Sequence, residues 1–315
     1  MSLKKSGLFL TAKKPSRPTS DPWTIRQLLQ WTTDFFANAG ITTPRLDAEV
    51  LLAHSLQQDR LSLYLNYEER VGEDDRRTYR NLIQRRRNFE PVGYLTGNRE
   101  FFSIPFHVNP SVLIPRPETE HLIESALEFS KKIPPEQKRD PLRILDIGTG
   151  CGNIPIALAK HVPNAWIVSV DISSKALAVA KKNLVAHADL GDRISFVHGD
   201  LLTWLQPENT FFDIIISNPP YISSSEWEEL PRDVREYEPD LALLAGLQGV
   251  EIQEKIVETA APLLKNNGLL IMELGENQDK ELSEKAEKQG CYHAIRVEPD
   301  YAGKPRVLIA KKTER

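Results

Sequence analysis

Phe212-Asp213-Ile214-Ile215-Ile216-Ser217-Asn218-Pro219-Pro220-Tyr221 is an apolar run that stops at two consecutive prolines. Its β-branched residues suit a parallel strand buried on both faces, and Pro219 and Pro220 cannot continue a ladder. The polar tetrapeptide Asn218 to Tyr221 therefore belongs on the loop at the strand's carboxyl end, where open α/β sheets hold their ligands. Neither proline has an N–H, so the loop offers the Asn218 side-chain oxygen and the Pro219 carbonyl as acceptors without a competing backbone donor. Two neighbouring acceptors suit a planar NH2 group with its two hydrogens. A bare Pro-Pro would read as a turn closing a strand; the full tetrapeptide after this strand reads as a site.

Upstream, Arg143-Ile144-Leu145-Asp146-Ile147 reads as a strand entering the turn Gly148-Thr149-Gly150-Cys151-Gly152, and Asn153 to Lys160 opens a helix. Glycines at alternate positions let a ligand approach the backbone, and the helix amino terminus favours an anionic group. A dinucleotide fingerprint would place its third glycine one position later, where Asn153 stands, which disfavours a nicotinamide cofactor. A second strand, Trp166 to Val170, ends at Asp171. An acid about twenty residues beyond the glycine turn is placed to accept both hydroxyls of a ribose.

With these motifs in view, the chain resembles S-adenosylmethionine-dependent methyltransferases that act on exocyclic or amide nitrogens. More narrowly, Gly97-Asn98-Arg99-Glu100-Phe101, Phe106-His107-Val108 and Val112-Leu113-Ile114-Pro115-Arg116-Pro117-Glu118-Thr119-Glu120 resemble the HemK/PrmC family. The resemblance runs from about Trp23 to Lys312. It implies N5-methylation of the glutamine in the Gly-Gly-Gln loop of class-1 peptide chain release factors, with S-adenosylhomocysteine as the second product. It also implies that Gly148, Thr149, Gly150, Cys151, Gly152 and Asp171 hold the cofactor, with Asp200 and Leu201 by the adenine. Asn218, Pro219, Pro220 and Tyr221 would hold the target glutamine, Asn218 standing between target and cofactor and Tyr221 packing on the flat amide. Asn218, Pro219 and Tyr221 form the expected catalytic set.

At 315 residues, 40% hydrophobic and 27% charged, the composition is that of an ordinary soluble protein of about two domains. No apolar run approaches the ~20 residues of a membrane span. Two cysteines, Cys151 and Cys291, suit a reducing, cytoplasmic compartment; Cys151 reads as a small residue filling a tight turn rather than a nucleophile. Residues 1–115 carry 16 Lys and Arg against 12 Asp and Glu, and the remainder 24 against 32. An acidic carboxyl-terminal part argues against tracking a long phosphate backbone. Arg85-Arg86-Arg87 reads as a solvated helix face. Residues 1–20 carry five basic and no acidic residues around a short apolar stretch, and are expected to be a disordered leader.

Helices are expected at Thr24 to Ala39, at Pro44 to Leu56 with an apolar face through Leu46, Val50 and Leu51, and at Asp74 to Asn88. They make a small helical bundle over residues 21–95. Residues 96–115 read as a β-hairpin linker, with strands Phe101 to Phe106 and Val108 to Ile114. Residues 116–315 alternate strands (143–147, 166–170, 194–198, 212–217, 268–274, 293–298, 306–311) with helices, the first at Glu118 to Lys131. That order implies an α/β fold, a doubly wound Rossmann-like sheet of seven strands. Pro299 to Pro305 is too short for a parallel crossover, so one of the last two strands is expected to be antiparallel. No metal-ligand cluster is visible, and the chain is expected to act as a monomer.

An amide nitrogen has its lone pair delocalised into the carbonyl, and no side chain at pH 7 deprotonates it beforehand. Catalysis must then rest mainly on positioning. The exocyclic NH2 of a flipped adenine in DNA or RNA offers the same two hydrogens, but that substrate calls for a basic, aromatic-rich recognition domain unlike residues 21–95. A non-catalytic binding module would tolerate a defective glycine turn or tetrapeptide, and both are intact.

Overall fold

The computed structural model describes residues 23–133, 140–205 and 211–314, so the leader expected at residues 1–20 lies outside the described residues. The chain divides into two compact units, one ending at Thr96 and one beginning at Gly97.

The first unit comprises α1 (Ile25–Asn38), α2 (Pro44–Ser55), α3 (Arg60–Leu65), α4 (Glu73–Arg87) and α5 (Val92–Thr96). Thr24 opens α1 with a capping box: its hydroxyl accepts from the Gln27 N–H, and the Gln27 side chain accepts from the Thr24 N–H. Gly40, at φ 81°, follows the helix in the left-handed conformation that glycine takes without strain. Leu29, Phe36, Leu51, Leu52, Leu63 and Tyr79 fill the core, each large apolar side chain contributing roughly 1.5–3 kcal/mol by leaving water.

Two expectations fail here. Leu46 is 43% exposed, and the buried residues of α2 are Asp47, Ala48, Glu49, Leu51, Leu52, Ala53 and Ser55. The cause is an internal ion pair: Arg86 Nε donates to Asp47 Oδ2 at 2.7 Å, both side chains being 6% exposed. Arg86 is thus no part of a solvated face. Arg85 pairs with Glu90, and the Arg87 guanidinium lies 5.6 Å from the centre of the Phe35 ring.

The second unit opens with the hairpin β1 (Asn98–Phe101) and β2 (Ile104–His107), then α6 (Glu120–Lys132) and β3 (Leu142–Ile147). There follow α7 (Asn153–His161), β4 (Ala165–Asp171), α8 (Ser174–Val185), β5 (Ile194–His198) and β6 (Phe212–Ser217). Next come β7 (Ile222–Ser223), α9 (Arg232–Arg235), β8 (Leu244–Gly246) and α10 (Glu251–Ala260). The unit ends with β9 (Leu264–Glu273), α11 (Asp279–Lys288), β10 (Tyr292–Pro299) and β11 (Pro305–Lys312).

The hairpin turns at Phe102-Ser103, both at positive φ (51° and 58°), whereas the expected first strand ran straight through these residues. No glycine or asparagine marks this turn, which is why the sequence conceals it. Val108 to Ile114 is a turn and irregular chain rather than a strand.

The main sheet runs β10-β11-β9-β6-β3-β4-β5, with β11 antiparallel to both its neighbours and the other pairs parallel. Ile214, Ile215 and Ile216 are wholly buried, as a central strand covered on both faces requires. From β3 the chain winds outward through β4 and β5, then returns to β6 on the other side of β3. The junction of β3 and β6 is therefore the topological switch point, and a crevice opens beyond its carboxyl ends. Among the described residues, no helix is long and apolar enough to cross a membrane.

Asp47→Ala should leave the Arg86 guanidinium buried without its carboxylate and destabilise the helical unit by about 3–5 kcal/mol. Hydrogen exchange at α2 and α4 amides is the measurement. Protection unchanged from wild type would show that the pair contributes nothing.

Candidate active site

Sheet register brings the three motifs to one edge. Ile147 pairs with Ser217 on β6 and with Val170 on β4, so Gly148, Asn218 and Asp171 leave adjacent strands side by side. The Ser217 hydroxyl donates to the Ile147 carbonyl at 2.8 Å, tying the two central strands where they end.

The glycine loop is built by hydrogen bonds to β4. Gly148 and Thr149 N–H both donate to the Val170 carbonyl, at 2.9 and 3.1 Å. Gly150 N–H donates to Asp171 Oδ2 at 2.8 Å, and Ser173 N–H to Asp171 Oδ1 at 2.8 Å. Gly148, Gly150 and Gly152 all have positive φ, which a residue with a side chain rarely adopts. A Cβ on Gly150 would meet nothing within 4 Å, whereas one on Gly152 would press on Ala180 of α8 at 3.2 Å. The first leaves space for a ligand; the second serves helix packing. Asn183 of α8 braces the loop from behind, donating to the Cys151 carbonyl at 2.8 Å and exchanging hydrogen bonds with the backbone of His107.

Buried acids lie beneath this surface. Burial pushes the Asp171 carboxyl above its ordinary value, against the pull of the Ser173 and Gly150 amides. Asp146 is fully buried on β3, where burial raises its carboxyl to about 7. The Thr149 and Ser169 hydroxyls lie near enough to oppose that rise, yet none of the three side chains completes a well-formed hydrogen bond. Burial likewise pushes the Cys151 thiol up to about 12, a poor nucleophile and consistent with a residue that fills the turn.

A cavity opens over the loop, lined by Gly148, Thr149, Gly150, Cys151, Asp171, Asp200, Leu201, Asn218 and Pro220. Its opposite wall carries Val112, Leu113, Pro115, Arg116 and Thr119, with Leu241 and Ala242 beyond. Arg116 and the Ile114 N–H both bind the Glu238 carboxylate, which clamps the Pro-Arg-Pro segment to the chain leading into that second wall. Leu201 takes a positive φ of 46°, and its carbonyl accepts from the Trp204 indole at 3.0 Å.

Pro219, Tyr221 and Gly152 do not line the cavity. The Tyr221 ring turns instead toward Gly275, where a Cβ would stand 3.1 Å from its Cδ2, and the Tyr221 carbonyl accepts from Gln278 Nε2 at 3.0 Å. Gln278 is held in turn by Gly275, Gly249 and Gln253, so the tetrapeptide rests on a buried amide network. Asn218 Nδ2 donates to Thr119 Oγ1 at 2.9 Å, and Thr119 Oγ1 donates to Glu273 Oε2 at 2.7 Å. Sequence reading had assigned no role to Thr119, Asn183, Glu238, Glu273 or Gln278. Glu273 left a signal, an acid directly after the apolar run Leu269 to Met272, and Thr119 stood within the Pro-Arg-Pro-Glu-Thr segment. Among the described residues no group of His, Cys, Asp and Glu could hold a metal ion.

Residues 27–97 match the PrmC N-terminal domain, and residues 138–312 match a methyltransferase domain. The release factor glutamine methyltransferase of Rhodopirellula baltica is 44% identical over 92% of this chain and 97% of its own length. That of Geobacter sulfurreducens is 40% identical over 81% of this chain and 86% of its own. Among solved structures, the hMettl16 catalytic domain in complex with a 3'UTR hairpin superposes with a TM-score of 0.54 at 19% identity, covering 72% of this chain and 84% of that one. That likeness establishes the fold alone. With both domains matched and near full-length identity to curated members, the chain belongs to the release factor glutamine methyltransferase family.

Proposed function

We propose that this protein transfers the methyl group of S-adenosylmethionine to the side-chain amide nitrogen of the glutamine in the Gly-Gly-Gln loop of class-1 release factors. The observation that carries this reading is the placement of Asn218 beside the glycine loop: a Cβ on Gly148 would stand 3.8 Å from the Asn218 carbonyl oxygen, within one cavity. The open space over Gly150 and the acid at Asp171 fit the cofactor: each Asp171 oxygen accepts one backbone amide and keeps a lone pair for a ribose hydroxyl. When bound, S-adenosylmethionine supplies a methyl group on a sulfonium, whose positive charge vanishes on transfer.

The protein's own contribution is positioning. Asn218 Oδ1 and the Pro219 carbonyl would accept the two amide hydrogens and so fix the orientation of the target nitrogen toward the cofactor. No general base is required before transfer, since the nitrogen would give up its proton to solvent water only after it has acquired a positive charge. Tyr221 supports the tetrapeptide from below, its carbonyl tied to Gln278. The protein's two free cysteines would stay reduced in a cytoplasmic setting.

Incubating the chain with a purified class-1 release factor and labelled S-adenosylmethionine, then sequencing the labelled peptide by mass spectrometry, tests the assignment. The methyl group should reside on the glutamine of the Gly-Gly-Gln loop; label in nucleic acid instead would indicate the adenine reading. Asp171→Ala should weaken S-adenosylmethionine binding tenfold or more, because it removes charge-assisted hydrogen bonds of ~1.5–3 kcal/mol each. Calorimetry finding wild-type affinity in the folded variant would take Asp171 out of the site. Asn218→Ala should lower single-turnover methyl transfer about 10²-fold, the scale for deleting one preorganised partner of a transition state. A rate within a few fold of wild type would reject its role as an acceptor.

A further inference from the structure

Asn218 carries both a donor and an acceptor, and which one faces the cavity decides whether it can bind an NH2 group. Its neighbours decide the matter. A hydroxyl has one proton, and that of Thr119 goes to Glu273 Oε2 at 2.7 Å. Thr119 Oγ1 then has only lone pairs left for Asn218, which must turn its NH2 inward, as the 2.9 Å contact from Nδ2 records. Oδ1 is left to face the target.

We propose that Glu273 and Thr119 are positioning residues for the methyl transfer: the ionised Glu273 carboxylate, acting through the Thr119 hydroxyl, locks the Asn218 amide with its oxygen toward the target nitrogen. This deepens the reading under Proposed function and rests on it. Both groups are built for rigidity, since Glu273 is 1% and Thr119 2% exposed. Glu273 sits at the carboxyl end of β9, its main-chain carbonyl held by Gln253 Nε2 at 3.1 Å. Thr119 belongs to the Pro-Glu-Thr turn that leads into α6. Asn218, Thr119 and Glu273 thus come from three separate elements, which only the folded sheet brings together.

The relay has a chemical consequence. The charged or titratable groups facing Glu273 are Arg306 from β11, Glu118 from the turn before α6 and Tyr221 from the loop after β6. Burial is the largest influence and raises the Glu273 carboxyl to about 7, while the Thr119 hydroxyl and Arg306 draw it down and Glu118 pushes it up. Protonated at Oε2, Glu273 would donate to Thr119, whose proton would then turn to Asn218. The amide would rotate and present NH2 to an incoming NH2, with no acceptor between them. The competent form is therefore the ionised one, and competence is lost as pH falls through about 7.

The test is single-turnover methyl transfer to a purified class-1 release factor, with both ligands saturating, from pH 6 to 9. Wild type, Thr119→Val, Thr119→Ser and Glu273→Gln are compared, and S-adenosylmethionine affinity is measured for each as a check on the fold. Thr119→Val should lose tenfold or more in rate at pH 8 while its cofactor affinity stays within about twofold, and Thr119→Ser, which keeps the hydroxyl, should recover to within about threefold of wild type. The wild-type rate should climb as pH rises through 7, and Glu273→Gln should be slower and flat. A Thr119→Val rate within twofold of wild type would overturn the inference, as would a Glu273→Gln profile like that of wild type. The wild-type profile needs no variant to fold: a rate constant flat from pH 6 to 8 also overturns it. Wild type that transfers no methyl group to the release factor at any pH would instead reject the underlying functional reading.

Discussion

The parallel pairing of β3 with β6 is the constraint on which the site depends. The two strands are far apart in sequence, and the register Ile147 to Ser217 decides which residues leave the sheet together. Burial of Ile214, Ile215 and Ile216 on both faces holds β6 at the centre of the sheet, and its pairing with β3 places Asn218 beside Gly148. Core packing and site geometry are here one interaction viewed from two ends. The Ser217 hydroxyl on the Ile147 carbonyl reinforces the pairing at its last rung.

Around that edge the chain arranges its loops with buried polar groups. Asp171, Glu238 and Glu273 each accept hydrogen bonds inside the second unit, and each joins segments distant in sequence. Burial raises all three carboxyls, so each is held in place at an electrostatic cost of desolvation offset by its partners. Such groups give orientation more than stability. For a reaction on an amide nitrogen, where acid-base chemistry offers little, orientation is what the protein has to supply.

Much of this was legible in the sequence because it depends on local chemistry. Three isoleucines before Asn-Pro-Pro-Tyr define a strand and its end, and alternate glycines define a turn at positive φ. That one of the last two strands would run antiparallel followed from a connection too short for a crossover, and the strand is β11. What escaped notice depends on partners distant in the chain. The turn at Phe102-Ser103 lacks glycine and asparagine, so nothing local announces it. Arg86 stands in a basic run that looks solvated, and only α2 packing against α4 reveals Asp47 as its partner. Leu46 appeared to belong to the buried face for the same reason: a buried aspartate does not register in an apolar pattern. Thr119 was visible as part of a motif, but its function is set by Glu273, which lies 154 positions away.

The central claim is that two acceptors on one loop hold an amide NH2 against the cofactor. A crystal structure of the protein with S-adenosylhomocysteine and a peptide carrying Gly-Gly-Gln tests it most directly. The account predicts the glutamine side-chain nitrogen within hydrogen-bond reach, about 2.7–3.2 Å, of both Asn218 Oδ1 and the Pro219 carbonyl, with its lone-pair face toward the sulfur. A glutamine bound with its carbonyl oxygen on Asn218, or lying outside the cavity above Gly150, would contradict it.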